Sequence, residues 1–228
     1  LMAPGLSRLD RTDSVTAPSD LSLYANVSIS GFYAVGISGN TIFSHNKQRI
    51  DYTLEFLSAP TYTWGIGYED VQRDSKRSYT EQRYKIQARY LREILPHTYV
   101  GGLLSFEHAR ASKYDASVPL FGDQRTHYTD TGIGLTVEYD SRDFIPNPFR
   151  GVYLSFQSIF YPKAFGTCDM TLHRMTVTTD FYQRVWKDAI LAFDLYGEIN
   201  STGTPWPMLA RMGGNQRMRG YYKGQYTD

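Results

Sequence analysis

Cysteine is almost missing from this chain. Cys168 is the only one, so an intrachain disulfide is excluded, and no Cys/His cluster has the spacing of a zinc site. Long apolar runs are missing too. Nothing approaches the ~20 residues that a membrane helix needs. That excludes a helical span but not strand spans, which are half polar and give a weak hydropathy signal. An excess of charge of either sign is absent, with 24 Lys plus Arg against 23 Asp plus Glu and a formal net charge of +1. The two signs are interspersed, so no basic face points to nucleic acid, and none is expected as a partner. No segment carries a convincing amphipathic helical period. The opening LMAPGLSRLDRT lacks a basic start followed by an apolar stretch, so an intact secretory signal is not expected there.

What is present is aromatic and alternating. Hydrophobic residues make up 41% and charged residues 21%, which argues against disorder. Aromatics reach 15%, with 19 Tyr against 3 Trp. Tyrosine suits strands and suits a membrane–water boundary, where the ring is buried and the hydroxyl stays wet; a Tyr-rich soluble sandwich satisfies the same composition. The dominant period is two. Ile133, Leu135, Val137 and Tyr139 fall on one face, with Gly134, Thr136, Glu138 and Asp140 on the other. Likewise Val152, Leu154 and Phe156 alternate with Tyr153, Ser155 and Gln157, and Ile50, Tyr52, Leu54 and Phe56 with Asp51, Thr53 and Glu55. The rows Tyr84, Ile86, Ala88, Tyr90 and Leu191, Phe193, Leu195 behave the same way.

This pattern predicts strands over 21–30, 32–43, 48–57, 79–92, 98–110, 129–142, 150–161, 170–185 and 189–200; the stretch 62–70 reads equally as strand or loop. Several of these exceed the ~5–6 residues usual in soluble sheets and approach the ~9–11 of membrane strands. The connections alternate as well: 93–97 is short, 111–128 long, 143–149 intermediate, 162–169 long, 186–188 short, and 201 onward very long. Outer-membrane barrels join strands by short periplasmic turns and longer outer loops, whereas a soluble meander has no reason to alternate. The expectation is an all-β, antiparallel transmembrane barrel wall. Its apolar set (Leu54, Phe56, Ile86, Val137, Leu154, Phe156, Phe193, Leu195) should face outward and its polar set (Glu55, Arg89, Glu138, Ser155, Asp194) inward. Solvent-facing charges on one side of a soluble sheet would give the same alternation.

Two stretches are more specific. In YDSRDFIPNPFRGVYLSF a strand ends in Asp140, Arg142 and Asp143 precede two prolines, and Arg150-Gly151 opens the next strand. In MGGNQRMRGYYKGQY, Gly213, Gly214, Arg219, Gly220 and Tyr221 stand in a long loop. Together they resemble the bacterial surface-antigen family that includes BamA and TamA, the first as its D-[ST]-R-D…P…R-G turn, the second as its G-G…R-G-[FY] loop. PWPMLARMGG and WGIGYE resemble the versions found in Bacteroidetes-type bacteria. The resemblance runs from about residue 20 onward.

The resemblance implies a Gram-negative outer-membrane barrel of about sixteen strands. Such a barrel works in assembly, insertion or translocation of outer-membrane proteins, among lipid, client proteins and accessory assembly proteins. Nine or ten of those strands fall within this chain, so it is expected to be C-terminally truncated relative to the whole barrel, and the periplasmic POTRA modules of the family do not occur in it. The division expected is a lead-in over 1–20, barrel strands over 21–200, and the long loop with its R-G-Y signature over 201–228. The family implies that this loop folds into the lumen with Arg219 held by later strands. The Asp140–Gly151 turn reads as structural, since its carboxylates and prolines satisfy and stiffen a strand end.

An enzyme is the rival to weigh. His45, His97, His108, His127 and His173 sit in no recognisable nucleophile motif, and G-x-S-x-G, H-E-x-x-H and a phosphate-binding glycine loop are all lacking. No catalytic residue, cofactor or metal is expected, and Cys168 in FGTCDM reads as incidental. A passive pore shares every strand-level feature with an assembly factor. Only the R-G-Y loop and the Asp-Ser-Arg-Asp turn separate them.

Overall fold

The computed structural model describes residues 16–67, 76–117, 120–145, 147–187, 189–213 and 218–227, and the backbone of 2–7. Ten strands form one sheet: β1 (Met2–Ser7), β2 (Ser19–Val27), β3 (Tyr33–Ile42), β4 (Gln48–Thr63), β5 (Arg77–Leu95), β6 (Thr98–Ser112), β7 (His127–Asp140), β8 (Gly151–Tyr161), β9 (Leu172–Arg184) and β10 (Ile190–Asn200). Spatial order equals chain order, and every neighbouring pair is antiparallel. The sheet is an all-meander wall, open along β1 and β10. A two-residue ladder, β11 (Arg211–Met212) with β12 (Tyr226–Thr227), lies in the loop that follows.

Residues 2–7, in the stretch expected to lead into the sheet, supply β1. β4 and β5 run further than the alternation alone indicates, taking in Ser58–Thr63 and Arg77–Ser78. Pro60 hides this extension in the sequence. Pairing with β3 stops at Ser58, while pairing with β5 continues to Thr63. Beyond Ser58, then, one side of β4 is an edge, where a proline's missing N–H costs no ladder bond. The stretch 62–70 divides: Tyr62 and Thr63 close β4, Trp64–Gly67 are not strand, and 68–70 lie outside the described residues.

The connections sort by side. Pro96-His97 makes a two-residue turn, with His97 at φ 65°, and the β3–β4 and β9–β10 connections are also short. The connections after β4, β6 and β10 are long and lie on the opposite side, but the sorting is incomplete: 28–32 on that side is short, and 141–150 on the short-turn side is as long as 162–171 opposite.

The wall is apolar outside and polar inside. Outward residues Leu54, Ile86, Leu104, Ile133, Leu135, Val137, Leu154, Phe193 and Leu195 are exposed. Their neighbours along the same strands, Glu81, Glu107, Asp130, Glu138 and Ser155, are buried. Of the predicted inward set, Glu138 and Ser155 are buried and Glu55 and Arg89 half-buried. Asp194 lies on the inner face by register through Asp180 and Tyr153 but is exposed, as most of the edge strand β10 is on both faces. The inward side chains meet because the wall is concave towards them. Arg49 on β4 reaches Asp140 on β7 (Nη1–Oδ2 3.1 Å), and Arg174 on β9 reaches Glu107 on β6 (Nη2–Oε1 3.0 Å). Each pair spans three strand spacings, about 14 Å on a flat sheet. A curved wall shortens that gap for groups on its inner side.

A surface of this polarity needs an apolar medium outside it, since contiguous apolar area of this size is not left in water. Leu135, 69% exposed at the middle of β7, reports on that medium. Leu135→Arg is expected to destabilise the wall in lipid by about 2–4 kcal/mol, the cost of a cation on the lipid face near the midplane. Urea unfolding in vesicles measures it, and a loss under 0.5 kcal/mol contradicts the outward placement.

Candidate functional site

The inner face carries a series of arginine–carboxylate clusters. Near the short-turn end, Asp140 accepts from Arg142 (Nε 2.8 Å, Nη2 3.0 Å) and from Arg49 (3.1 Å), while Arg49 also donates to the Tyr99 hydroxyl at 3.0 Å. The Arg142 guanidinium lies over the Tyr153 ring, 4.5 Å from its centroid. One layer further in, Arg89 bridges Asp51 and Glu138, and Glu138 also accepts from Tyr153 at 3.0 Å and Ser155 at 3.2 Å. Arg174 pairs with Glu107 and donates to Tyr161. Arg49, Arg89 and Arg174 are thus each shared among acceptors from different strands, which the five-donor fork of an arginine suits better than a lysine's point charge. Removing one partner would leave a buried charge uncompensated.

The last cluster fastens the long loop. After β10 the chain turns back, and Thr204–Met208 become buried against the wall. Trp206 stacks on Phe121 (centroids 4.3 Å, planes 4° apart) and meets Tyr79 edge-on at 5.8 Å. Its backbone N–H donates to Gln124 Oε1 at 2.7 Å, and its indole N–H donates to the Arg125 carbonyl at 3.0 Å. Two residues on, Met208 enters a second apolar cluster with Leu103, Ile159, Tyr161 and Leu172. Arg211 then donates to Glu81 on β5 (Nη1–Oε2 2.9 Å), and Arg83 on the same strand holds the other oxygen of that carboxylate and reaches the Pro207 carbonyl at 3.3 Å. Burial opposes the charge on Arg211, but Glu81 beside it outweighs that and raises its pKa. The loop's outer part rests on the connection after β4: Gly67 N–H donates to Thr227 O at 2.9 Å, and the Trp64 and Tyr222 rings lie 5.7 Å apart.

The loop-signature residues divide along this segment. Gly213 is buried at φ +99°, and a Cβ there would stand 2.2 Å from the Tyr222 carbonyl oxygen, so the two arms of the loop approach too closely for any side chain. Gly214 lies outside the described residues. Arg219 and Gly220 (φ +102°) form an exposed turn, and Tyr221 meets Tyr226 edge-on at 5.9 Å. In the other motif Asp140 and Arg142 are paired as above. Asp143 Oδ1 accepts from the backbone N–H of Phe144, Phe149 and Arg150 at 3.0, 3.0 and 3.3 Å, which gathers the intermediate connection into a fixed turn. Gly151 sits at φ +119° with Ser141 O 2.5 Å from where its Cβ would be.

Trp206, Arg211 and Glu81 were not singled out from the sequence. Arg211 and Glu81 are 130 residues apart, and only the topology brings them together. The tryptophan between two prolines was the available signal.

Other chemistry-bearing groups are accounted for by packing. His108 Nδ1 lies 2.7 Å from Thr129 Oγ1, and His173 Nε2 lies 2.8 Å from Ser158 Oγ with its ring stacked on Phe160 at 4.2 Å. Both pairs sit on the outward face, each hydroxyl satisfying an imidazole. His97 Nδ1 lies 3.1 Å from the Asp140 carbonyl oxygen. Cys168 packs against the cluster around Met208. Burial pushes its thiol up to about 12, and the Asp130 carboxylate that accepts from it pushes the same way.

Two outcomes follow. Cys168 is expected to stay a thiol through pH 9 and to resist iodoacetamide in the folded protein, with fast alkylation only after unfolding; prompt labelling at pH 8 contradicts the contact with Asp130. Arg211→Ala leaves Glu81 with Arg83 as its cation and frees the base of the loop, and is expected to cost about 1.5–3 kcal/mol, the range for a lost hydrogen bond to a charged group. Thermal melting and trypsin cleavage within 201–213 read this out, with Arg211→Lys intermediate.

Compared with known families, the chain matches the Omp85 superfamily domain over residues 23–228. No curated protein matches it. The matched span runs from β2 to the end of the R-G-Y loop, taking in both the inverted wall and the segment clasped inside it, in keeping with the resemblance to BamA/TamA-like surface antigens. The chain belongs to the Omp85 superfamily.

Proposed function

We propose that this chain is the barrel of an outer-membrane factor that inserts or translocates other outer-membrane proteins. Omp85 superfamily domains are outer-membrane proteins of Gram-negative bacteria and organelles, with roles in outer-membrane protein assembly or translocation, and are generally non-enzymatic. The finer reading is a BamA/TamA-like, Gram-negative member that performs no catalysis, with lipid, client barrel proteins and accessory assembly proteins as its partners. The observation that carries it is the long loop clasped inside the wall through Trp206 and Arg211. A lumen so occupied leaves less room for a wide passive channel.

On this reading the work is done by strand addition. An exposed strand edge offers unpaired N–H and C=O groups that an incoming strand satisfies. In lipid the drive is strong, because each unsatisfied backbone group costs several kcal/mol. A wall that opens at its seam needs support elsewhere, and the loop supplies it. Arg211 fixes the base of the loop. We assign its signature residues Gly213, Gly214, Gly220 and Tyr221 to shaping the approach of Arg219, which braces the rest of the barrel. We assign Asp140, Arg142, Asp143, Arg150 and Gly151 to holding the corner between β7 and β8.

The test uses the full-length protein reconstituted with a client barrel. Arg219→Ala is expected to weaken heat-resistant migration on gels and to lower client insertion by about tenfold, equivalent to some 1.4 kcal/mol. Arg219→Lys should restore only part, because an ammonium lacks the planar fork. Wild-type stability and insertion in Arg219→Ala would remove the bracing role. Ion conductance without client insertion in the unmodified protein would favour the passive pore.

A further inference from the structure

The outward face of the β6–β7 hairpin changes character abruptly along its length. Cross-strand pairs run Val100–Val137, Gly102–Leu135, Leu104–Ile133 and Phe106–Thr131, then His108–Thr129 and Arg110–His127. Tilted membrane strands cross in ~9–11 residues, and on β6 the stretch from Thr98 to His108 uses up that length. Arg110 and the residues after it therefore stand at headgroup height on the long-loop side.

An open cleft of about 580 Å³ lies there, lined by His108, Arg110, Ser112, Lys113, Thr126 and His127 among others. No carboxylate lines it. Arg110, Lys113 and His127 are exposed, and among the described residues no salt bridge engages Arg110 or Lys113. Glu107 is buried on the inner face with Arg174, and Asp115 is turned to its own loop, accepting from Ser117 N at 2.9 Å and Ser117 Oγ at 2.7 Å. Lys113 is held at φ 53°, in the left-handed region that a non-glycine residue enters only at a cost. The Ala111 N–H donating to Thr126 O at 2.7 Å closes the hairpin behind it.

We propose that this cleft binds the phosphate of a phosphorylated lipid in the leaflet on the long-loop side. The proposal rests on the membrane reading above and adds a ligand to it. Arg110 presents a fork that fits two phosphate oxygens, and Lys113 supplies a compact point charge beside it. His108, tied to Thr129, and His127 border the same space. The acyl chains of such a lipid would lie along Phe106, Leu104 and Ile133, directly below. A lipid held here fixes the height of the wall in the membrane at β6–β7, far along the sheet from both edges.

The test places the full-length protein in nanodiscs with a phosphorylated glycolipid or with the same glycolipid after dephosphorylation, and measures retained lipid by native mass spectrometry. Wild type should prefer the phosphorylated form by about tenfold, as expected for charge-assisted contacts to phosphate. Arg110→Ala/Lys113→Ala should lose that preference while keeping wild-type heat-resistant migration; Arg110→Lys/Lys113→Arg should keep most of it. Equal retention of both lipids by wild type, or an unchanged preference in the alanine pair, overturns the site. Displacement of the lipid by millimolar inorganic phosphate would show a free-anion site and overturn the lipid assignment. A protein that does not enter bilayers at all fails the membrane reading; entry without lipid preference fails this site alone.

Discussion

The inverted polarity of the wall constrains everything else in the molecule. Leucine, isoleucine and phenylalanine occupy the outside, so alternate residues on every strand must face a confined interior. Confined charges are tolerable only when they are paired. The interior is accordingly organised into shared clusters, with Arg49, Arg89, Arg174 and Arg211 each joining groups from different strands. These bridges are also what the curvature permits. Flatten the wall and pairs such as Arg49–Asp140 separate; curve it and they close. Charge pairing and wall shape are two descriptions of one constraint.

The loop after β10 meets the same constraint in a different way. Its Trp206 and Met208 cannot face outward to lipid, because the chain has left the wall, and leaving them in water is unfavourable. They settle into the two apolar clusters of the inner face, one around Tyr79 and Phe121, the other around Leu103, Ile159 and Leu172. Arg211 then adds a cation where β5 offers Glu81 between itself and Arg83. Apolar seating and ionic fastening lie within six residues of chain, so the segment is fixed in both position and direction.

The wall was legible because side-chain period and strand period coincide. Leu54, Phe56 and Leu154 alternate with Glu55 and Ser155, which a strand sorts onto two faces and a helix does not; strand length is what favoured a membrane wall over a soluble sheet. The side of the longest connections, after β4, β6 and β10, was legible from their lengths, whereas those after β7 and β8 are equally long and carry no such signal. Where the reading fell short, a local signal misled or none existed. The alternation ended at residue 57, and only the pairing shows that β4 runs on past Pro60 as an edge. MAPGLS, with its own proline and glycine, gave β1 no alternation to detect. That the loop folds inward was expected from the resemblance, but the residues that fasten it were invisible for a different reason. Glu81 reads as one more polar residue on a half-polar strand, and nothing in its neighbourhood announces a partner near the far end of the chain. The cleft at Arg110 was hidden similarly, as its basic residues are spread over 108–127 and converge only when the hairpin closes.

The seating of Trp206 also imposes an order of events. Its pocket is assembled from β5, β6 and the connection after β6, and Met208 needs β6, β8 and β9 as well. None of these surfaces exists until those strands have paired. Long-range closures of this kind come late, since the entropy of joining distant segments is recovered only when a formed surface receives them. The loop therefore works as a completion signal in the time course of folding: until the central wall is built and curved, the segment has nowhere to dock, and once it docks, the curvature it found becomes hard to lose.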